Sequence, residues 1–507
     1  MVPTNAAGTV GDRVSAINAL RDPNSTPEPG ARVLSLRRSP GVAVLPEDDL
    51  DRIRAAALQL LERPGVAVSS DRVAERLGAA GAVVDGGRVH LPAALVQVAL
   101  GSAPDEILLA ARDPACDLRV GGAQGWLGTG GPAGLAVDLD TDERRAAALA
   151  DVVAAARLAD ALPQLGYLGP SVTVLDVDPG PRPLLELQAR AANTSKHVQV
   201  EVPAGAATAE ALVEIARAVA GGEGALRGRP IVSAFLATSP LSLDGGEAAV
   251  ALAHAGIPCG FVATPVAGVS APATLAGALA TALAETLAGV VALQLLAPGA
   301  PTFVGSRAFA AALGDEPRPG GPQDPLFQMA WVQLARHVGL PAQVGAFATG
   351  AKSSDWQAGL EGGLSATASW MMGPDLLSAA GLRSGGRVFS PVAMLLDAEL
   401  FDLVRRIPLG FDVDEAALAL EVIEKVGPGE HFLGEQHTLR HMREMWTARF
   451  MDTDTWEAWE EAGRPEPPER ARARAVELLA SHEPTPLPAD VEERIREVIA
   501  EHGRDRD

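Results

Sequence analysis

The chain has 507 residues, with 42 Lys+Arg against 64 Asp+Glu and a formal net charge of −22, a polyanion that repels phosphate backbones and acidic lipid headgroups and so disfavours nucleic acid and membrane surfaces as partners. Hydrophobic residues make up 47% and charged residues 21%, the balance of a globular protein of about two to four domains at ~150 residues each, which excludes wholesale disorder. The two cysteines, Cys116 and Cys259, lie far apart in apolar stretches, without a disulfide framework or a CxxC motif, and fit a reducing cytoplasm.

Met1 to Gly11 lacks the basic region and apolar run of a secretory signal. Residues 1–40 are rich in Pro, Gly, Ser, Asn and Arg without apolar periodicity, which predicts a disordered head. Residues 41–150 read as a helical region with a small β element. Asp49-Leu50-Asp51 opens a helix with apolar positions at Ile53, Ala56, Leu60 and Leu61, ended by Pro64-Gly65. Short helices near Ala74 and Leu95 flank a hairpin pattern over 83–90, whose turn is Asp85-Gly86-Gly87.

From Asp151 short apolar runs alternate with long Ala-rich helical stretches. The expected strands are Gln164–Leu168, His197–Val202, Ile231–Leu236, Pro258–Ala263, Thr302–Val304, Ala342–Ala346, Asp375–Ala379 and Val392–Leu396. Eight such runs over about 250 residues match an α/β fold of the (β/α)8 TIM-barrel type across 151–410. A doubly wound sheet is the competing arrangement, weakened by the absence of a GxGxxG or Walker-type loop. Ser270 to Thr302, interrupted only by Glu285, is long enough to span a bilayer, but its Ala, Gly and Thr content, its central carboxylate and the breakers Pro298, Gly299 and Pro301 read as a buried helix. Residues 411–507 form a charged helical extension.

Several segments carry a more specific signal. Thr264-Pro265-Val266-Ala267-Gly268-Val269-Ser270-Ala271-Pro272, continuing to Pro301, resembles the signature segment of the trimethylamine methyltransferase family. Ser354-Asp355-Trp356-Gln357-Ala358-Gly359-Leu360-Glu361 is similar to the same family, as is the block from Gly429 to Leu439 with Trp446 and Trp459. The resemblance runs in family order from about Leu60 to Leu487. It implies a barrel enzyme that moves a methyl group from an N-methylated amine to the cobalt of a separate corrinoid (cobalamin) protein. No tightly bound cofactor of its own is expected, and a homo-oligomer is. Founding members carry pyrrolysine. Here the corresponding segment, Gly345-Ala346-Phe347-Ala348-Thr349-Gly350, is written in standard residues, and members without pyrrolysine are associated with quaternary amines such as glycine betaine. Transfer from a tertiary amine such as trimethylamine, a pterin acceptor, or a non-catalytic binder of methylated amines are the alternatives.

The chemistry agrees with that loss. A quaternary ammonium departs as a neutral amine when one methyl is displaced, so no proton has to reach the leaving nitrogen, and positioning carries the catalysis. A methylammonium pocket wants aromatic faces or negative charge. Aromatics are 4% of the chain, which makes Tyr167, the sole tyrosine, and Phe347 and Trp356 candidates for that pocket, against ordinary packed rings. Asp355, Gln357 and Glu361 are polar candidates, with a helix cap and a surface pair at i,i+4 as the plainer reading. Lys352 is a candidate partner for Asp355 or a substrate carboxylate. His197 is a weaker candidate because it opens a strand at the barrel's N-terminal face. Gly268 and Ser270 either leave room for the corrinoid ring or make a tight turn. His437 and His441 at i,i+4, with His431 or Glu435, raise a zinc question, but the HExxH pattern is missing and a structural role is expected instead, with no metal.

Overall fold

A computed structural model describes residues 32–37, 42–122, 124–202, 205–238, 240–307, 310–312, 317–318, 320–407 and 410–504. Two compact units arise, one of residues 32–405 with 468 onward, the other of residues 406–467. Most of the expected mobile head lies outside the described residues. Its end, Leu36–Arg37, is a short strand pairing antiparallel with Gly125 and Gln124, and Leu34 beside it is fully buried.

The larger unit is built on parallel strands β1 (Gln124–Gly128), β2 (Leu165–Leu168), β3 (His197–Glu201), β4 (Val232–Thr238), β5 (Cys259–Ala263), β6 (Thr302–Ser306), β7 (Ala342–Gly345) and β8 (Leu376–Ser378). Each neighbour pair is parallel, and β8 closes on β1 through Leu376 with Trp126 and Leu377 with Leu127. After the strands come helices α1 (Leu149–Ala161), α2 (Arg182–Asn193), α3 (Ala206–Ala220), α4 (Gly246–His254), α5 (Leu275–Leu296), α6 (Gln323–His337), α7 (Trp356–Met371) and α8 (Pro391–Val404). This is the (β/α)8 barrel expected from the strand-helix rhythm.

The register along the chain differs from the sequence reading at both ends. Val392–Leu396, expected as the last strand, lies inside α8. A short, wholly apolar run looks alike as strand or helix, and Ser390-Pro391 decides it: the serine hydroxyl caps Ala393 N and proline sits at the first turn. The strand that completes the barrel is instead Gln124–Gly128, within the segment assigned to the N-terminal region, so the barrel strands begin well before 151. Apart from Trp126, its residues carry little β-propensity, and two of the five are glycine. Tertiary packing holds it there. The ring of Tyr167 lies where a Cβ on Gly128 would stand, 2.4 Å from its nearest atom, and Phe303 does the same at Gly260 at 2.1 Å. Those glycines let two large rings enter the lumen, where they pack with Trp126, Phe235, Val262 and Leu376.

Helix α5 is apolar all round because it is covered all round. The barrel lies on one side, and the N-terminal helices Glu47–Glu62 and Ala93–Ser102 pack on the other. It is long and apolar enough to cross a membrane, yet 83% of its most apolar window is buried inside the protein. The hairpin Val83–Asp85 with Arg88–His90 forms as its turn residues require. At the other end, Ala489–Arg504 packs on α3, and His482 reaches Asp160 at 2.8 Å. The unit of residues 406–467 contains short helices, among them Gln436–His441 and Trp456–Glu461.

Candidate active site

At the carboxyl ends of the strands a cavity of about 250 Å³ opens into the barrel, near the lower end of the ~300–1,000 Å³ usual for small-ligand sites. Phe235 of β4, Val262 of β5, Gln199 of β3 and Gln343 of β7 form its deeper wall. Arg307, following β6, and Phe347, following β7, stand nearer the mouth. Gly130, Gly131, Ala348, Ala379, Gly385 and Gly386 make the rim.

Arg307 is the sole ionisable side chain among the described lining residues. Its guanidinium lies 5.9 Å from the centroid of the Phe235 ring, an arrangement that stabilises a cation over an aromatic face. No Asp, Glu, His, Lys or Cys lines the cavity among those residues, so the wall offers no general acid or base of ordinary kind.

Phe347 is 2% exposed and holds φ at +57°, a left-handed conformation costly for a bulky residue and kept only where surroundings enforce it. The enforcement comes from α7. Glu361 accepts hydrogen bonds from Thr349 Oγ1 at 2.7 Å and Gly350 N at 2.8 Å, with Gln357 Nε2 donating at 2.9 Å. Glu361 and Gln357 therefore brace the loop that carries Phe347 and do not themselves line the cavity. Asp355 caps α7 through Ala358 N at 3.1 Å. Trp356 is 79% exposed, and the Lys352 ammonium donates to the Gly350 carbonyl; both stand outside the cavity wall.

Tyr167 lies in the lumen, completely buried, with its hydroxyl donating to Leu377 O at 2.9 Å. It does not touch the cavity directly but contacts Gln343. His197 is at the opposite, N-terminal end of the barrel interior. Its Nδ1 donates to Ala110 O at 2.7 Å, since a carbonyl only accepts, and its Nε2 accepts from Ser233 Oγ at 2.8 Å. Burial pushes it down to about 4, so it is a neutral strut. Lys196 beside it donates to Ala159 O, Leu162 O and Leu165 O at 2.7–2.8 Å.

Thr264, Pro265 and Val266 line the cavity. Gly268, at φ +79° with nothing within 4 Å of a Cβ position, and Ser270, whose hydroxyl bridges Val266 N and Thr264 O, form the turn behind them. In the 406–467 unit the His437 and His441 rings lie 4.4 Å apart, but His441 pairs with Glu444 at 2.7 Å and Glu435 with Lys425 at 2.7 Å. No group of three His, Cys, Asp or Glu placed to hold a metal occurs among the described residues. The residues that sequence reasoning missed are Gln199, Gln343, Arg307 and Phe235. Gln343 had left a signal, a lone amide in the otherwise apolar strand Ala342–Gly345, whereas Gln199 shares its strand with His197 and Glu201.

A parallel barrel with a pocket at its carboxyl mouth is an enzyme scaffold that hosts many chemistries, so relatives must narrow the class. The family model described as Trimethylamine methyltransferase (MTTB) matches residues 17–506. Trimethylamine methyltransferase MttB of Desulfitobacterium hafniense is 31% identical over 468 residues, covering 91% of this chain and 94% of that protein. The glycine betaine methyltransferase of another strain of that species is 32% identical over 476 residues, covering 92% and 98%. The crystal structure of the Methanosarcina barkeri monomethylamine methyltransferase shares the fold, with a TM-score of 0.51, 10% identity and coverage of 93% and 91%. The chain belongs to the trimethylamine methyltransferase family and is a methyltransferase.

Proposed function

We propose that this methyltransferase takes a methyl group from a small quaternary amine that also carries a carboxylate, of the glycine betaine type, and passes it to a corrinoid protein in the cytoplasm. The observation that carries the reading is the charge of the cavity: Arg307 alone is ionisable among its described lining residues. A lone guanidinium repels a simple cation and attracts a zwitterion through its anionic end. The absence of an acid or base from that wall suits a leaving group that departs neutral and needs no proton.

The rim residues Gly130, Gly131, Ala348, Ala379, Gly385 and Gly386 present only backbone and methyl groups, a contour that fits a broad flat ring. When docked there, the partner's corrinoid supplies a reduced cobalt nucleophile. The chain's own part is placement. Phe347 offers a face to the methylammonium head, and Arg307, which lies over the Phe235 ring, holds the carboxylate. Glu361 keeps Phe347 in position from behind.

The test is spectroscopic loss of cobalt(I) on adding this protein to reduced cobalamin with a panel of quaternary and tertiary amines. Zwitterionic quaternary amines are expected to react and trimethylamine is not. Failure of every amine with active cobalt(I) present overturns the proposal, and reaction confined to tertiary amines replaces its substrate class.

A further inference from the structure

A helix on the outside of a globular protein buries an apolar stripe and turns charged or polar side chains to water. Helix α7 departs from that pattern. Its inner face, with Ala358, Gly362, Ser365 and Trp370, is buried. Its outer face carries Trp356, Leu360, Leu364 and Met371, exposed by 79%, 53%, 49% and 37%. The one charged residue of the helix, Glu361, is committed to the Phe347 loop through Thr349 and Gly350. Trp356, Leu360 and Leu364 stand in one i,i+4 row and make a ridge, and Gly359, Gly363 and Thr367 make the row beside it. A Cβ on Gly359 or Gly363 would meet nothing within 4 Å. The second row is therefore an open groove, and two glycines that weaken a helix have no packing partner in the subunit to account for them.

Ridge and groove on the same helix fit each other across two copies. A two-fold axis through α7 lays each ridge into the opposite groove, the packing class with a crossing angle of about −50°, and the glycines let the two axes approach closely. The large side chains and the small ones between them expose on the order of 500 Å², close to the apolar share of the ~800 Å² that each partner gives to a standard-size interface. Charge selects the same occupant. At a net charge of −22 the chain repels its own copy wherever carboxylates meet, so copies can associate only through a face without them. The outer face of α7 is such a face. We infer that α7 is a self-docking surface through which this chain forms a two-fold dimer, with Trp356, Gly359, Leu360, Gly363 and Leu364 of each copy at its centre.

The experiment is sedimentation velocity of the full chain at about 10 μM, a concentration that populates any contact of micromolar affinity or better. The wild type is expected as an even number of copies, and Leu360→Glu and Gly363→Leu each at half that mass. Both positions face open space, so native circular dichroism is expected in both variants, and leucine at 363 favours the helix while filling the groove. An equimolar mixture of Leu360→Glu and Leu360→Lys is expected to regain the wild-type mass, because Leu360 meets its own counterpart across the axis. A wild type that is monomeric or has an odd number of copies overturns the inference, as does a mass unchanged in both variants. Half-mass variants that the mixture fails to restore overturn the self-to-self pairing. A monomer that binds a corrinoid protein, and loses that binding in Leu360→Glu, gives this face to a different partner and overturns it as well.

Discussion

Tyr167 on β2 reaches across the barrel lumen, past β1, to donate its hydroxyl to the carbonyl of Leu377 on β8. That single bond ties the closing strand to the second one and, through Gln343, sets the polarity of the cavity wall. Burial pushes the phenol well above its ordinary value, so the donor stays protonated wherever the protein is folded. Tyr167→Phe keeps the ring that fills the space at Gly128 and removes only the hydroxyl. It is expected to cost about 1–3 kcal/mol in urea unfolding, because the Leu377 carbonyl loses its donor in the interior. It also removes the acceptor to which Gln343 Nε2 donates at 3.4 Å. An unchanged unfolding midpoint contradicts the role given to this bond.

Arg307 tests the charge argument. Arg307→Gln keeps a polar side chain and removes the cation. A charge-assisted hydrogen bond to a carboxylate contributes about 1.5–3 kcal/mol, so kcat/KM for a betaine is expected to fall about 10- to 100-fold. Tetramethylammonium, which meets like charge in the wild type, is expected to be equal or better in the variant. Methyl-transfer rates for the two substrates compared side by side decide it, and an equal loss for both rules out recognition of the anion.

The barrel itself was legible because its middle strands are buried on both faces and therefore read as continuous apolar runs between Ala-rich helices. Both misread elements lie where that signal fails. Gln124–Gly128 is held as a strand by its fit to Tyr167, a contact 39 residues on from Gly128 that local pattern does not carry. Val392–Leu396 is apolar on every side because α8 is buried. The cavity was legible through Phe347 and the Thr264–Val266 segment, yet its polar residues were not singled out. Arg307 is one arginine among many until the fold brings it to the mouth. Conversely, Trp356 sits in the family-like stretch Ser354–Glu361 and Lys352 just before it, yet neither lines the cavity, since Asp355 caps α7 and Gln357 and Glu361 brace the loop that carries Phe347.

His197 predicts an acid-side weakness of the fold. Its ordinary value of 6.5 drops to about 4 through burial. Between those values the unfolded chain holds a proton that the folded chain does not. Its stabilising contribution is therefore complete above pH 6.5 and is lost as pH falls toward 4. The expected size is about 3 kcal/mol at 1.36 kcal/mol per unit. Urea unfolding of wild type and His197→Gln across this window measures it. The variant is expected to be less stable at neutral pH, having lost one of two buried hydrogen bonds, but flatter toward acid. Parallel curves contradict the assignment of a neutral buried imidazole.

Glu285 has the opposite sign. This carboxylate, in the middle of α5, is pushed up from 4.5 to about 7 by burial, partly offset by the hydrogen bond it accepts from Leu241 N at 2.9 Å. That bond holds Leu241 at φ +43°, and Leu241 O in turn accepts from Ala67 N at 2.9 Å, so the group sits behind the link between the N-terminal region and the barrel. Between pH 4.5 and 7 the folded chain keeps a proton that the unfolded chain has lost, so this contribution is full at low pH and declines as pH rises through 7. Glu285→Gln retains an acceptor for Leu241 and removes the charge. It is expected to raise stability by about 1–3 kcal/mol at pH 8 and to leave it nearly unchanged at pH 4.5, read as the shift in urea midpoint at each pH. In the wild type the rising slope from His197 and the falling slope from Glu285 overlap and partly cancel, so a flat profile there is compatible with both. Only the single variants separate them: Glu285→Gln must steepen the acid-side loss that His197 causes, and His197→Gln must expose the decline toward neutral pH that Glu285 causes.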